Sequence, residues 1–241
     1  MKLVFIHGAG DDEGIWQKQL DCLKGATAVT LPGHPKGKLR QSVEEYADWL
    51  HQYITDNKFE EVVLVGHSMG GAISLNYAVR YGSPPLRALI IIGGGAKLKV
   101  HPASVAELEK AILGDLSGWR NLMKAAHGNV NSKLFSQQIK RRLKVGLKAN
   151  MSDFACCDRF DMMSEINCIK LPTLIVCGEK DLLTPEKYSH YLASQIKDSQ
   201  KTVIEGAGHF VMLEKPREVN LEIKRFLASI ERTHFFNLTL S

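Results

Sequence analysis

The chain has 241 residues, 44% hydrophobic and 24% charged, a composition that supports a sizeable core and excludes an intrinsically disordered protein. No apolar run approaches the roughly 20 residues that span a bilayer, and no basic, cleavable leader precedes the first apolar run, so a cytoplasmic protein without a membrane span is expected. The net charge of +5 is concentrated in residues 97–170, with 13 Lys/Arg against 7 Asp/Glu; no nucleic-acid motif interleaves it, so it reads as a solvated helix face or a surface that steers anions, and no nucleic-acid partner is expected.

Six short β-branched runs follow one another: Leu3 to Ile6, Ala26 to Leu31, Val62 to Val65, Ala88 to Ile92, Thr173 to Cys177 and Thr202 to Glu205. Each is almost continuously apolar, as a parallel strand buried on both faces must be. Helical patterns lie between them, such as Ser42 to Tyr53, with Val43, Tyr46, Ala47 and Leu50 on one face, and Ala72 to Tyr81. This alternation predicts an α/β fold with a mostly parallel sheet of about six strands flanked by helices.

The alternation breaks once, after the fourth strand, where about 75 residues carry only helical periodicity. Helices are expected over Ala103 to Leu113, Ser117 to Ala126 and Leu134 to Lys148, forming a helical cap. The core is then 1–96 and 171–241, and the cap is 97–170. Five cysteines, without a C-x-x-C pair and with Cys156 and Cys157 adjacent, predict reduced thiols, and no zinc-type spacing suggests a metal.

The chemistry-bearing motifs all follow strands. Gly66-His67-Ser68-Met69-Gly70-Gly71 lies between the third strand and the helix from Ala72, the context of a nucleophile elbow. A turn this tight leaves no room for side chains two residues either side of the serine, hence Gly66 and Gly70. A serine hydroxyl needs a positioned base, and His209 in Gly206-Ala207-Gly208-His209-Phe210 follows the last strand, at the sheet edge where the elbow lies. His67 reads as structural, while His101, His127, His190 and His234 read as surface residues.

The base in turn needs a carboxylate to fix its tautomer, and Asp181, in Cys177-Gly178-Glu179-Lys180-Asp181 after the fifth strand, fits that role with Glu179 as the nearby rival. Asp181 also has a plain reading as a turn or helix-start aspartate, a place that Thr184-Pro185 already fills. Two backbone N–H groups are expected to hold the oxyanion: Met69 at the start of the helix, and Ala9 in His7-Gly8-Ala9-Gly10 after the first strand.

Taken together, HGAG, GHSMGG, GEKD and GAGHF, each after a strand and in the order Ser, Asp, His, resemble the α/β-hydrolase superfamily, and within it small cap-bearing carboxylesterase-like serine hydrolases. The resemblance covers nearly the whole chain and implies hydrolysis through an acyl-enzyme on Ser68 without a cofactor. Two features depart from it. The first strand leads straight to HGAG with no preceding antiparallel hairpin, so the sheet should be two strands short. In Thr30-Leu31-Pro32-Gly33-His34-Pro35 the family often has Asp for Thr30 and Gly for Pro35.

The expected substrate is a small-molecule carboxylic ester of small to medium acyl chain, with Trp119, Met123 and Phe210 as candidate substrate contacts. Thioesters, or carbon–carbon bond hydrolysis of vinylogous keto acids whose anionic character would suit the basic cap, are alternatives. A ligand receptor with vestigial turnover is a further reading, which fold alone does not exclude. The sequence leaves the oligomeric state open, with Val100, Trp119 and Phe235-Phe236 read either as a contact surface or as internal packing.

Overall fold

Strand alternation decides the architecture. In the computed structural model, which describes residues 1–239 with side chains through Arg232, the elements begin with β1 (Lys2–Ile6), α1 (Gln17–Cys22), β2 (Thr27–Val29), α2 (Val43–Asp56), β3 (Val62–His67), α3 (Met69–Tyr81) and β4 (Leu86–Ile92). Four helices then come before the next strand: α4 (Pro102–Ile112), α5 (Ser117–Ala126), α6 (Ser132–Val145) and α7 (Leu147–Arg159). The chain closes with β5 (Thr173–Gly178), α8 (Glu186–Gln195), β6 (Ser199–Ile204), α9 (Val211–Glu214) and α10 (Pro216–Thr239).

The six strands form one sheet in the order β2-β1-β3-β4-β5-β6, with every pair parallel. The register sets Val4 beside Leu64, Val65 beside Ile90, and Ile91 beside Ile175. Successive side chains point to opposite faces. Val4, Ile6, Leu64, Leu89 and Ile91 therefore pack against Tyr46 and Leu50 of α2 and Ala72 of α3. Phe5, Val63, Val65, Ile90 and Ile92 pack on the other face against Trp16 and against Val219, Ile223 and Phe226 of α10. Each such aliphatic side chain taken out of water contributes about 1.5–3 kcal/mol before conformational entropy is counted.

The boundaries differ from the sequence reading for local reasons. β2 has three residues instead of six because the chain leaves this edge strand after Val29, and the Leu31 N–H donates to His7 Nε2 at 3.0 Å. β6, the other edge, starts three residues earlier, its polar Ser199-Gln200-Lys201 paired only with β5. The expected helix from Leu134 to Lys148 is two helices, broken at Gly146 (φ 106°), a conformation other residues adopt only at a cost.

Inserted between β4 and β5, the helical segment has its own small core of Leu108, Ala111, Trp119, Met123 and Ile139. Its α6 joins the loop after β1 through the buried Arg142–Asp11 ion pair, 2.5 Å, and through Arg141 to Asp12. No helix among the described residues is long and apolar enough to cross a membrane.

Candidate active site

β3 runs two residues past its apolar stretch to His67, and Ser68 takes φ 52°, ψ −115° before α3 begins at Met69. A left-handed backbone at a non-glycine residue is strained, and such strain persists only where its surroundings dictate it. Here the glycines do so. A Cβ at Gly66 would collide with the Gly70 carbonyl, and one at Gly70 with the carbonyls of Ile6 and His7. The end of β3, the first turn of α3 and the loop after β1 thus touch backbone to backbone. Ser68 N–H donates to Ile92 O at 3.0 Å, and its carbonyl accepts from Gly71 and Ala72, which starts the helix.

His209 lies between β6 and α9, and its Nδ1 donates to Asp181 Oδ2 at 2.8 Å. Both side chains are buried, His209 at 3% and Asp181 at 4% exposure. Glycines again bring the segments together: a Cβ at Gly178 would strike the carbonyls of Ala207 and Gly208, and one at Gly93 would lie 3.4 Å from His209 Nδ1. Asp181 also serves the turn reading, its Oδ1 accepting from the N–H groups of Leu183 (2.8 Å) and Thr184 (2.9 Å) while Thr184 Oγ1 donates to Oδ2 at 2.8 Å. One carboxylate makes both sets of contacts with its two oxygens. Burial alone would raise its pKa, but His209 and the Thr184 donors outweigh that and hold the carboxyl well below the usual range. Glu179 is exposed and turned to the Gly206 N–H, 2.9 Å away.

Ser68, His209 and Ala9 line one cavity of about 610 Å³. Phe154 and Cys157 of α7, Leu98, Val100, Leu183 and Tyr188 give it apolar walls, and His101 with the charged Lys99, Asp158 and Lys187 gives it a polar part. The loop after β1 presses on the serine, since a Cβ at Gly8 would lie 3.1 Å from Ser68 Cβ. Among the described residues, the N–H groups of Ala9 and Met69 donate to no protein acceptor, whereas the neighbouring Gly10 N–H is bonded to Asp153 Oδ2 at 2.8 Å. First-turn helix N–H groups such as that of Met69 have no partner within the helix, and this one sits at the positive end of α3.

Three buried histidines frame the site. His67 Nε2 donates to the His209 carbonyl at 3.0 Å, and burial together with the nearby His209 ring keeps its pKa well below the usual value. His7 is likewise held low by burial and by His34; its Nε2 accepts from Leu31, so Nδ1 carries the proton toward Gly8 O, 2.9 Å. His34 differs. Both its nitrogens face acceptors, Asp153 Oδ2 at 2.8 Å and the carbonyls of Leu31 and Pro32 at 3.2 and 3.3 Å, an arrangement that favours the protonated ring. Burial lowers its pKa, but the bond to Asp153 and its charge more than reverse that.

Not every candidate is at the cavity. Trp119 and Met123, expected at the substrate, sit instead in the small core of the inserted helices, and Phe210 is buried with its ring stacked on His127, centroids 3.9 Å apart. Apolar residues at helical spacing do not say which face meets a cavity and which a neighbouring helix. His127, read as a surface residue, is buried, its Nδ1 donating to Met123 O at 2.7 Å. The side chains of His234, Phe235 and Phe236 lie outside the described residues. Asp153, His34 and Thr184 were missed; for Thr184 a signal existed, a hydroxyl residue three positions after Asp181.

Known proteins share this fold. A solved structure of a thermophilic esterase superposes with a TM-score of 0.84 at 31% identity, covering 95% of this chain and 90% of that one. The mouse (Mus musculus) monoacylglycerol lipase ABHD6 is 23% identical over 96% of this chain and 76% of its own length. An (E)-2-((N-methylformamido)methylene)succinate hydrolase from Acinetobacter baylyi is 25% identical over 93% of this chain and 89% of its own. The sequence profile described as "Alpha/beta hydrolase family" matches residues 3–222, and the chain belongs to that family.

Proposed function

We propose that the protein is a serine hydrolase that cleaves carboxylic esters through an acyl-enzyme on Ser68, with His209 as general base and Asp181 orienting it. The observation that carries this reading is the opening of Ser68 and His209 onto one cavity while His209 Nδ1 is tied to the buried Asp181 carboxylate. That bond leaves Nε2 to take the serine proton. As the hydroxyl attacks, the ester carbonyl becomes an oxyanion held by the Ala9 and Met69 N–H groups; His209 then protonates the leaving alcohol, and water repeats the steps to release the acid.

The named esterase and lipase relatives support the ester class. A cavity of about 610 Å³ with apolar walls suits a small to medium acyl chain. Residues 97–170 act as the cap over a core of 1–96 and 171–241, because α7 supplies part of the cavity wall. Five unpaired thiols accord with a cytoplasmic site.

A second reading, carbon–carbon hydrolysis of an anionic keto acid, is favoured by one observation: of the charged side chains that line the cavity, Lys99 is paired with Asp158 at 3.3 Å, and Lys187 gives the lining a net positive charge. Hydrolysis of p-nitrophenyl esters from acetate to decanoate, by the wild type and by Ser68→Ala, tests the leading one. Wild-type turnover with an optimum at short to medium chains, lost in the variant, is the expected result. Failure of the wild type on every member, with cleavage of a vinylogous keto acid, moves the assignment to the second.

A further inference from the structure

The oxyanion loop is held from outside the hydrolase core. Gly8-Ala9-Gly10 follows β1, yet the group that fixes its backbone comes from α7, 143 positions along the chain, where Asp153 Oδ2 accepts the Gly10 N–H at 2.8 Å. The same carboxylate accepts from His34 Nε2 at 2.8 Å through Oδ2 and from the Tyr46 hydroxyl at 3.2 Å through Oδ1. Asp153 and His34 are fully buried, and Tyr46 with them. Asn150, one turn earlier on α7, closes the other side: a Cβ at Gly10 would come within 2.6 Å of Asn150 Cγ.

Resting on the serine hydrolase reading above, we propose that Asp153 is a positioning residue for the oxyanion hole, contributed by the inserted helices. It occupies the Gly10 N–H, so that the adjacent Ala9 N–H is the one left free, and it pins the peptide that carries Ala9 against Ser68. Three observations support the assignment. The bond consumes one donor of the loop and spares its neighbour. His34 Nε2 and the Tyr46 hydroxyl hold the same carboxylate from its other sides, which fixes its orientation toward Gly10 in a fully buried site. And α7 carries Phe154 and Cys157 of the cavity wall on the turn that carries Asp153, so substrate cover and oxyanion loop share one rigid support.

The test compares Asp153→Asn with Asp153→Ser in the full chain. Both alter the buried contact with His34, so both lower the melting temperature; only asparagine keeps an oxygen within reach of the Gly10 N–H. The expected result on p-nitrophenyl esters is a kcat for Asp153→Asn within about threefold of wild type, and for Asp153→Ser a kcat reduced about 10- to 100-fold with KM changed less than twofold, as displacement of a donor needed mainly in the transition state requires. Binding of a trifluoromethyl ketone, which forms the oxyanion, should weaken in parallel with kcat/KM. Folded Asp153→Ser with wild-type kcat, or an asparagine variant as slow as the serine one, overturns the proposal. If Asp153→Ser does not fold, the wild-type Gly10 amide decides: a downfield proton that exchanges slowly is expected, and a fast-exchanging amide at its random-coil position overturns the clamp. A wild type that cleaves no ester while Gly10 shows the expected amide instead overturns the hydrolase reading and leaves the clamp as a structural bond without the catalytic role.

Discussion

Asp181 and Glu179 stand two positions apart on the same loop, and their surroundings assign them different work. Asp181 is buried, faces His209 and is surrounded by donors that favour its ionised form. Glu179 is exposed and satisfied by a backbone N–H. Asp181→Asn, which leaves an amide where His209 needs an anion, should lower kcat by on the order of 10⁴, whereas Glu179→Gln should stay within about twofold. Comparable losses in both variants would reverse the assignment. The depressed pKa of Asp181 adds a stability term: the ionised carboxylate favours the folded state above its unfolded pKa of about 4, and that contribution is lost as pH falls toward the lower folded value. At this scale the sequence was informative wherever a residue type is scarce and its neighbours are constrained, as for Ser68 between Gly66 and Gly70. It was silent on Asp153 and His34, because their significance is a contact across 119 positions that no local pattern encodes.

Among the elements, strands were easier to read than the helices of the insertion. Core strands are apolar on both faces, so β3 and β5 stand out; edge strands need cover on fewer sides, and the polar start of β6 hides among loop residues. The buried side of α7 includes Asn150, Asp153, Cys156 and Cys157, so an apolar-periodicity rule misses the helix that matters most to the site. Gly146 is what separates it from α6. At φ 106°, with open space around its would-be Cβ, Gly146→Ala carries a backbone cost without a steric one. A loss of about 1–2 kcal/mol in urea unfolding is expected, with no change in the denaturant slope. A neutral or stabilising substitution would mean that α6 and α7 do not need this break.

Across the whole molecule, the sheet order β2-β1-β3-β4-β5-β6 brings the ends of β1, β3, β5 and β6 to one edge, and each end contributes one part of the proposed site: Ala9, Ser68, Asp181 and His209. Parallel strands make this possible, because all their C-terminal ends lie on the same side. That much follows from the alternation of elements in the sequence. The placement of the insertion does not, since its contact with the core is made by polar side chains, Arg142 to Asp11 and Asp153 to Gly10, which look like surface residues until the fold buries them.

The central claim is covalent attachment of the acyl group to Ser68, and peptide mass spectrometry of a reaction with a p-nitrophenyl ester quenched within milliseconds tests it most directly. The predicted result is the acyl mass on the peptide that contains Gly66-His67-Ser68-Met69-Gly70, appearing with the first equivalent of p-nitrophenol and absent in Ser68→Ala. Turnover of the ester with the acyl group found on another residue, or undiminished in Ser68→Ala, would contradict it.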